Sequence, residues 1–158
     1  MLTLRLARRE DAALIVEYIR ELAAFEQLAH ECHASEGLIQ TWLFGAAPRA
    51  HCLLAEWAGS PAGFALYFYN FSTFLARPGI YIEDLFVRPD FRRKGIARSM
   101  FRHLAQKALA EGCGRLEWWV LDWNTDAIAF YASIGAVPMD EWTVQRVTGE
   151  ALVQLAAG

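Results

Sequence analysis

Two adjacent carboxylates, Glu83 and Asp84, interrupt the otherwise apolar run Ile80 to Val87. A β-strand is a poor place for acids, and side chains alternate along it, so the pair must serve opposite faces. If both faces are covered, at least one acid is buried or lines a cleft, and a desolvated carboxyl has a raised pKa suited to taking a proton. The competing reading is an edge strand with both acids wet or paired to arginine. Directly after this strand comes Arg92-Arg93-Lys94-Gly95-Ile96-Ala97, which opens an amphipathic helix. Strand, tight basic loop and helix N-terminus together make a cradle for a phosphate: Gly95 and Ala97 let the backbone approach an anion, and the first helical N–H groups lack internal partners. The spacing Arg-x-x-Gly-x-Ala has neither the glycines of a dinucleotide loop nor the Gly-Lys-Ser/Thr of a P-loop, so a nucleoside triphosphate is a poor fit. Standing alone, such a run reads equally well as a solvated turn.

Other groupings carry less. His30-Glu31-Cys32-His33, with Glu26 one turn earlier, lacks a second distant ligand pair, and no metal is expected. Cys52 or Cys113 as an acyl-carrying nucleophile would need a neighbouring histidine base. Cys32, Cys52 and Cys113 are odd in number and widely spaced, which suggests reduced thiols and no disulfide framework.

Composition narrows the class. With 158 residues, 55% of them hydrophobic and 21% charged, the chain reads as one globular domain over 1–158, long enough to bury a core. Its N-terminus meets charge at once, with no stretch suited to a signal peptide or membrane span, and a cytoplasmic protein is expected. The net charge of −3 hides an asymmetry: Arg88 to Arg115 holds eight basic residues against two acids, whereas the stretch up to Glu36 is acidic. An anionic ligand suits the first region and a cationic partner the second. Nucleic acid is not expected, since the overall sign is wrong.

The elements that must position these residues follow from periodicity. Leu2, Leu4 and Leu6 alternate as a strand; Leu14, Ile15, Tyr18, Ile19, Leu22 and Phe25 recur at helical spacing; a shorter helix is predicted over Ser35 to Phe44. Cys52 to Trp57 and Ala62 to Phe71 read as an antiparallel hairpin around Gly59-Ser60-Pro61, followed by the strand Ile80 to Val87. After the basic loop, Ile96, Met100, Leu104 and Ala108 mark a helix that Gly112 ends. Leu116 to Leu121 is predicted as a strand, Thr125 to Ser133 as a helix, Trp142 to Val147 as a late strand, and Thr148 as the cap of a final helical turn through Leu155. The economical answer is a mixed α/β layer fold.

These residues carry a resemblance. The chain is similar to the GNAT N-acetyltransferase superfamily and, within it, to the spermidine/spermine (diamine) acetyltransferase group, through Arg20 to Glu26, Tyr81 to Val87, the loop Arg92 to Ala97, and Asp122-Trp123-Asn124 followed by Ala129-Phe130-Tyr131 and Gly135-Ala136. The resemblance implies a mostly antiparallel central sheet, flanked by helices and splayed between the strands Ile80 to Val87 and Leu116 to Leu121, where acetyl-CoA binds. Backbone groups of Phe86 and Val87 would pair with the pantetheine arm, Arg92, Arg93, Lys94, Gly95, Ile96 and Ala97 would bind the diphosphate, and Asn124 would both cap its helix and touch pantetheine. An alkyl ammonium, with a pKa of about 10.4, must lose a proton before it attacks a thioester. Glu83, through water, is the implied base; an N–H near Phe86 polarises the carbonyl; and Tyr131 is the implied acid for the departing thiolate, although Phe130-Tyr131 also reads as core aromatics.

For the acceptor, the resemblance points to Phe25, Glu26, Glu83 and Asp84, with Phe25 standing where the group usually has tyrosine. A polyamine- or diamine-like amine attacking directly in a ternary complex is the expected substrate. A lysine- or thialysine-like amino acid is the close alternative, and a non-catalytic acyl-CoA-binding module is the alternative of another class. A homodimer is expected, with Trp118-Trp119 and the late strand at the subunit contact.

Overall fold

The computed structural model describes all 158 residues. Its elements are β1 (Leu2–Leu6), α1 (Ala12–Phe25), α2 (Glu36–Phe44), β2 (His51–Trp57), β3 (Ser60–Ser72), β4 (Arg77–Val87), α3 (Ile96–Ala110), β5 (Leu116–Trp118), α4 (Thr125–Ser133) and α5 (Gly149–Ala157). They fall into two compact units, Met1–Trp119 and Val120–Gly158.

The first unit is built on one five-stranded sheet in the order β1-β2-β3-β4-β5, antiparallel except for the β4–β5 pair. Alternation sorts its side chains between two layers. Cys52, Leu54, Phe64, Leu66 and Phe86 meet Ile15, Val16 and Tyr18 of α1 and Ile39 and Leu43 of α2 in one buried cluster. The Tyr18 and Phe64 rings stack with centroids 5.2 Å apart. Leu53, Ala65, Ile80 and Ile82 have the opposite parity. The buried stripe Ile96, Met100, Leu104 and Ala108 of α3, a helix that packs on β2, β4 and β5, supplies their cover. α3 is thus the crossover that a parallel β4–β5 pair requires.

Local chemistry explains most boundaries. The Ser35 hydroxyl caps α2 by accepting from the Leu38 amide at 3.2 Å. The β2–β3 turn sits on Ala58 and Gly59, both with positive φ (50° and 82°), one step earlier than the sequence suggests. A two-residue hairpin loop needs left-handed conformations at both central positions to match strand twist. Pro61 consequently falls inside β3, opposite Glu56 and next to a bulge.

Two sequence expectations fail. The strand predicted over Leu116 to Leu121 ends at Trp118, and residues 142–147 form no strand. Aliphatic and aromatic residues raise β-propensity, but a strand exists only where a neighbour takes its backbone groups, and 142–147 take part in no ladder. Thr148 does sit at the N-cap of α5, though its side chain makes no capping hydrogen bond. No helix is long and apolar enough to cross a membrane.

Candidate active site

The site begins with a fork in the sheet. β4 pairs with β5 only through Ile80–Leu116, Tyr81–Glu117 and Ile82–Trp118. On its other edge, β4 pairs with β3 along its whole length, but the register slips between Leu66 and Tyr67, which face Asp84 and Ile82. Glu83 is the unpaired extra residue of a β-bulge, and bulges bend a strand and re-aim its side chains. The β4–β5 ladder therefore stops at the residue before the bulge, and β4 runs on as Glu83 to Val87 with one edge outside that ladder.

Which backbone groups occupy that edge follows from one bond. The Arg88 N–H donates to the Ala62 carbonyl on β3 at 2.9 Å. Alternation then turns the amides of Phe86 and Asp84 to β3 and those of Leu85 and Val87 to the open edge. The Val87 carbonyl agrees, since it accepts from Arg92 Nε at 2.9 Å and not from β3. Phe86, one of the two residues expected to offer its backbone, has that backbone committed to β3 and its side chain buried in the core. Leu85, which sequence reasoning passed over, takes its place; strand parity was unreadable without the position of the bulge.

The carboxylates separate as the alternation argument requires, but Asp84 is the desolvated one. Asp84 shares the parity of Leu66 and Phe86 and lines a cavity of about 300 Å³ with Ile19, Leu22, Ala23, Glu26, Leu28, Glu31 and His33, while Glu83 is exposed. Burial first, and then the charges of Glu83 and Glu26, push the Asp84 carboxyl up to about 7. Burial also raises Glu26. The cavity has apolar walls and an acidic lining with neither lysine nor arginine, a shape for an alkyl chain bearing positive charge. Of the expected acceptor residues, Glu26 and Asp84 meet here. Phe25, half-exposed at the end of α1, lies beneath the Arg92 guanidinium with 5.0 Å between that carbon and the ring centroid. Glu26, His30, Glu31, Cys32 and His33 do not converge into a group of three or more side chains able to hold a metal ion.

The basic loop has the shape of an anion nest. Arg93 and Gly95 adopt left-handed conformations (φ 60° and 74°), and the first α-helical bond of α3 is Ser99 N–H to Gly95 O at 3.0 Å. The amides preceding Ser99 have no intrahelical acceptor, and alternating handedness turns successive N–H groups toward a common point. Buried Ile96 anchors the helix start against the sheet. Lys94 Nζ lies 5.5 Å from the Trp57 ring centroid.

Residues 16–136 match the profile of the Acetyltransferase (GNAT) family. The chain belongs to that family. This acetyltransferase is 37% identical over 164 residues to thialysine N-epsilon-acetyltransferase of Bos taurus, with 97% of the chain and 96% of the relative covered. It is 28% identical to spermidine/spermine N(1)-acetyltransferase-like protein 1 of Homo sapiens, over 97% of the chain and 23% of that longer protein. Among solved structures, an integron cassette protein from the mobile metagenome of V. cholerae superposes with a TM-score of 0.83 at 27% identity, with 99% of the chain and 98% of the other covered. GNAT acetyltransferases use acetyl-CoA, and the nest at Arg93 to Ala97 and the open edge at Leu85 and Val87 fit a diphosphate and an amide-bearing arm respectively.

The second unit of the acetyltransferase carries Asn124 and Tyr131. Asn124 caps α4, its side-chain oxygen accepting from the Ala127 amide at 3.3 Å. Tyr131 lies in the last turn of α4, where its carbonyl accepts from Ile134 and Ala136 N–H groups at 3.2 and 3.0 Å and its ring stands 5.8 Å from that of Phe130. In the first unit, Arg88 is a structural tie the sequence showed only as one charge among eight. Its guanidinium bonds Glu21 at 2.9 and 3.0 Å, pairs with Glu17, and lies 4.7 Å from the Tyr18 ring centroid, locking α1 to the end of β4. The charge asymmetry along the chain is thus partly spent internally.

Proposed function

We propose that the protein is an N-acetyltransferase that moves the acetyl group of acetyl-CoA to a terminal primary amine of a small cationic acceptor, polyamine- or diamine-like, by direct attack in a ternary complex. The observation that carries this reading is the acidic cavity at Asp84, placed on the same strand as the open edge. Acetyl-CoA supplies the thioester. Leu85 and Val87 would hold its pantetheine arm, with the Leu85 N–H as the donor suited to an oxyanion, and the amides from Arg93 to Ala97 would hold the diphosphate, each such helix-terminus contact contributing about 0.3–1 kcal/mol.

Asp84 and Glu26 bind the ammonium and the charge beyond it through charge-assisted hydrogen bonds. Asp84, raised to about 7 in the empty cavity, is held ionised by a bound ammonium and so can accept the proton that the amine gives up. Glu83, exposed at the bulge, relays that proton through water to solvent. Tyr131 donates a proton to the departing thiolate, and Asn124 contributes a polar contact to pantetheine. The acceptor is favoured over a lysine- or thialysine-like amino acid because the cavity lining offers no arginine or lysine to an α-carboxylate; the 37% identity to a thialysine enzyme supports that second reading.

A thiol-release assay with acetyl-CoA against spermidine, putrescine, lysine and thialysine decides between them. Turnover with the amines is expected to fall at least about tenfold in Glu83→Gln and in Tyr131→Phe while coenzyme A still binds. Turnover indifferent to both changes would remove these residues from the mechanism, and preference for thialysine over putrescine would move the acceptor to the amino-acid class.

A further inference from the structure

Arg92 heads the phosphate loop, yet its guanidinium is engaged with β4 and α1. Its Nε donates to the Val87 carbonyl at 2.9 Å, and its central carbon lies 5.0 Å from the Phe25 ring centroid and 5.8 Å from that of Phe86. Val87 supplies backbone groups to the open edge, and Phe25 is the last residue of α1, immediately before cavity-lining Glu26. One side chain therefore touches both the coenzyme edge and the end of the acceptor helix. The turn it touches is unusual: Gln27, a non-glycine residue, is left-handed at φ 62°, and the Leu28 N–H closes back on Ala23 O at 2.8 Å.

We propose that Arg92 is a positioning residue, a strut that fixes the C-terminal turn of α1, and with it Glu26, to the coenzyme-binding edge of β4, so that occupying the edge orders the acceptor cavity. The inference rests on the acetyl-CoA reading of that edge. A guanidinium suits the task because it donates in its plane while its faces lie against aromatic rings, which an ammonium cannot do. The Val87 carbonyl has two lone pairs, so an arriving amide donor joins Arg92 there without displacing it. The bound arm then immobilises the strut, and the strut immobilises Phe25 and Glu26.

Hydrogen exchange of the segment Ala23 to Leu28, free and saturated with coenzyme A, tests this in wild type, Arg92→Ala, Arg92→Lys and Phe25→Leu. Free Arg92→Ala is expected to exchange at least about tenfold faster in this segment, with Met100 to Leu104 of α3 unchanged, because only the local opening is eased. Coenzyme A slows the segment in wild type and not in Arg92→Ala, and the amine KM in that variant rises more than kcat falls. Arg92→Lys behaves like Arg92→Ala, because charge without the planar fork does not rebuild the strut. Wild-type exchange in Arg92→Ala, or full rescue by lysine, overturns the proposal and leaves Arg92 an anion ligand. Wild-type protein that binds no coenzyme A would instead bring down the proposed function. The free-protein comparison would then decide the strut by itself, equal exchange overturning it and faster exchange upholding it.

Discussion

Asp84 shows how two neighbouring residues of like chemistry acquire different work. The bulge leaves Glu83 exposed and sends Asp84 into the cavity, where burial and the charges of Glu83 and Glu26 raise its pKa from the ordinary 3.8 to about 7. Between those values the folded protein holds a proton that the unfolded chain has released. Stability therefore falls as pH rises from about 4 to about 7 and is not recovered above it. Urea titrations at pH 5 and pH 8 are expected to show wild type losing stability at the higher pH and Asp84→Asn losing less. A cation in the cavity reverses the penalty, so kcat/KM for the amine is expected to rise through pH 7 in wild type, with that limb missing in Asp84→Asn. Identical profiles for the two proteins would take Asp84 out of the acceptor site. Arg92 and Arg88 make the same point for cations: their roles come from what they touch, Phe25 and Val87 in one case and Glu21 and Tyr18 in the other.

The loop between β4 and α3 joins the open edge of β4 to the crossover helix, and its geometry rests on two left-handed residues. At Gly95 a Cβ would meet nothing within 4 Å, so the restriction there is conformational and not steric crowding. Gly95→Ala is expected to cost about 1 kcal/mol of stability, the usual penalty for a side chain in the left-handed region, and to weaken coenzyme A binding by tilting the amides of the nest. Thermal melts paired with a coenzyme A titration read both effects. A variant with lower stability and unchanged affinity would mean that the helix N-terminus binds without the preceding turn. The fork itself is an element-scale device. Ending the β4–β5 ladder at Ile82, one residue before the bulge, keeps Leu85 and Val87 available as a strand edge, to which an extended ligand can add by main-chain hydrogen bonds.

For the whole molecule, the homodimer remains a proposal with a changed basis. Trp118, expected at a subunit contact, packs on Phe101 of its own chain with ring centroids 4.7 Å apart, whereas Trp119 is half-exposed. Residues 142–147 are β-prone but form no strand within the chain, which is the condition under which a second copy could supply the missing neighbour. Light scattering at micromolar concentration is expected to give twice the 17.8 kDa chain mass. A 17.8 kDa particle that turns over amines at full rate would show that one chain holds the complete site.

Sequence alone determined what short-range chemistry controls. The period of apolar residues set α1, α3 and the hairpin strands; Ser35 and Asn124 marked helix starts to within a residue; and the basic loop announced its nest through Gly95 and its place between strand and helix. It also marked Glu83 and Asp84 as acids out of place in an apolar strand, whereas Glu26 stood out only through the family resemblance. Only tertiary structure decided which acid is desolvated, because a one-residue bulge opposite Leu66 and Tyr67 shifts strand parity and leaves no trace in composition. The same shift replaced Phe86 by Leu85 at the open edge. The ends of β5 and the fate of 142–147 were likewise beyond the sequence, since a strand's length depends on where its neighbour runs and not on its own propensity.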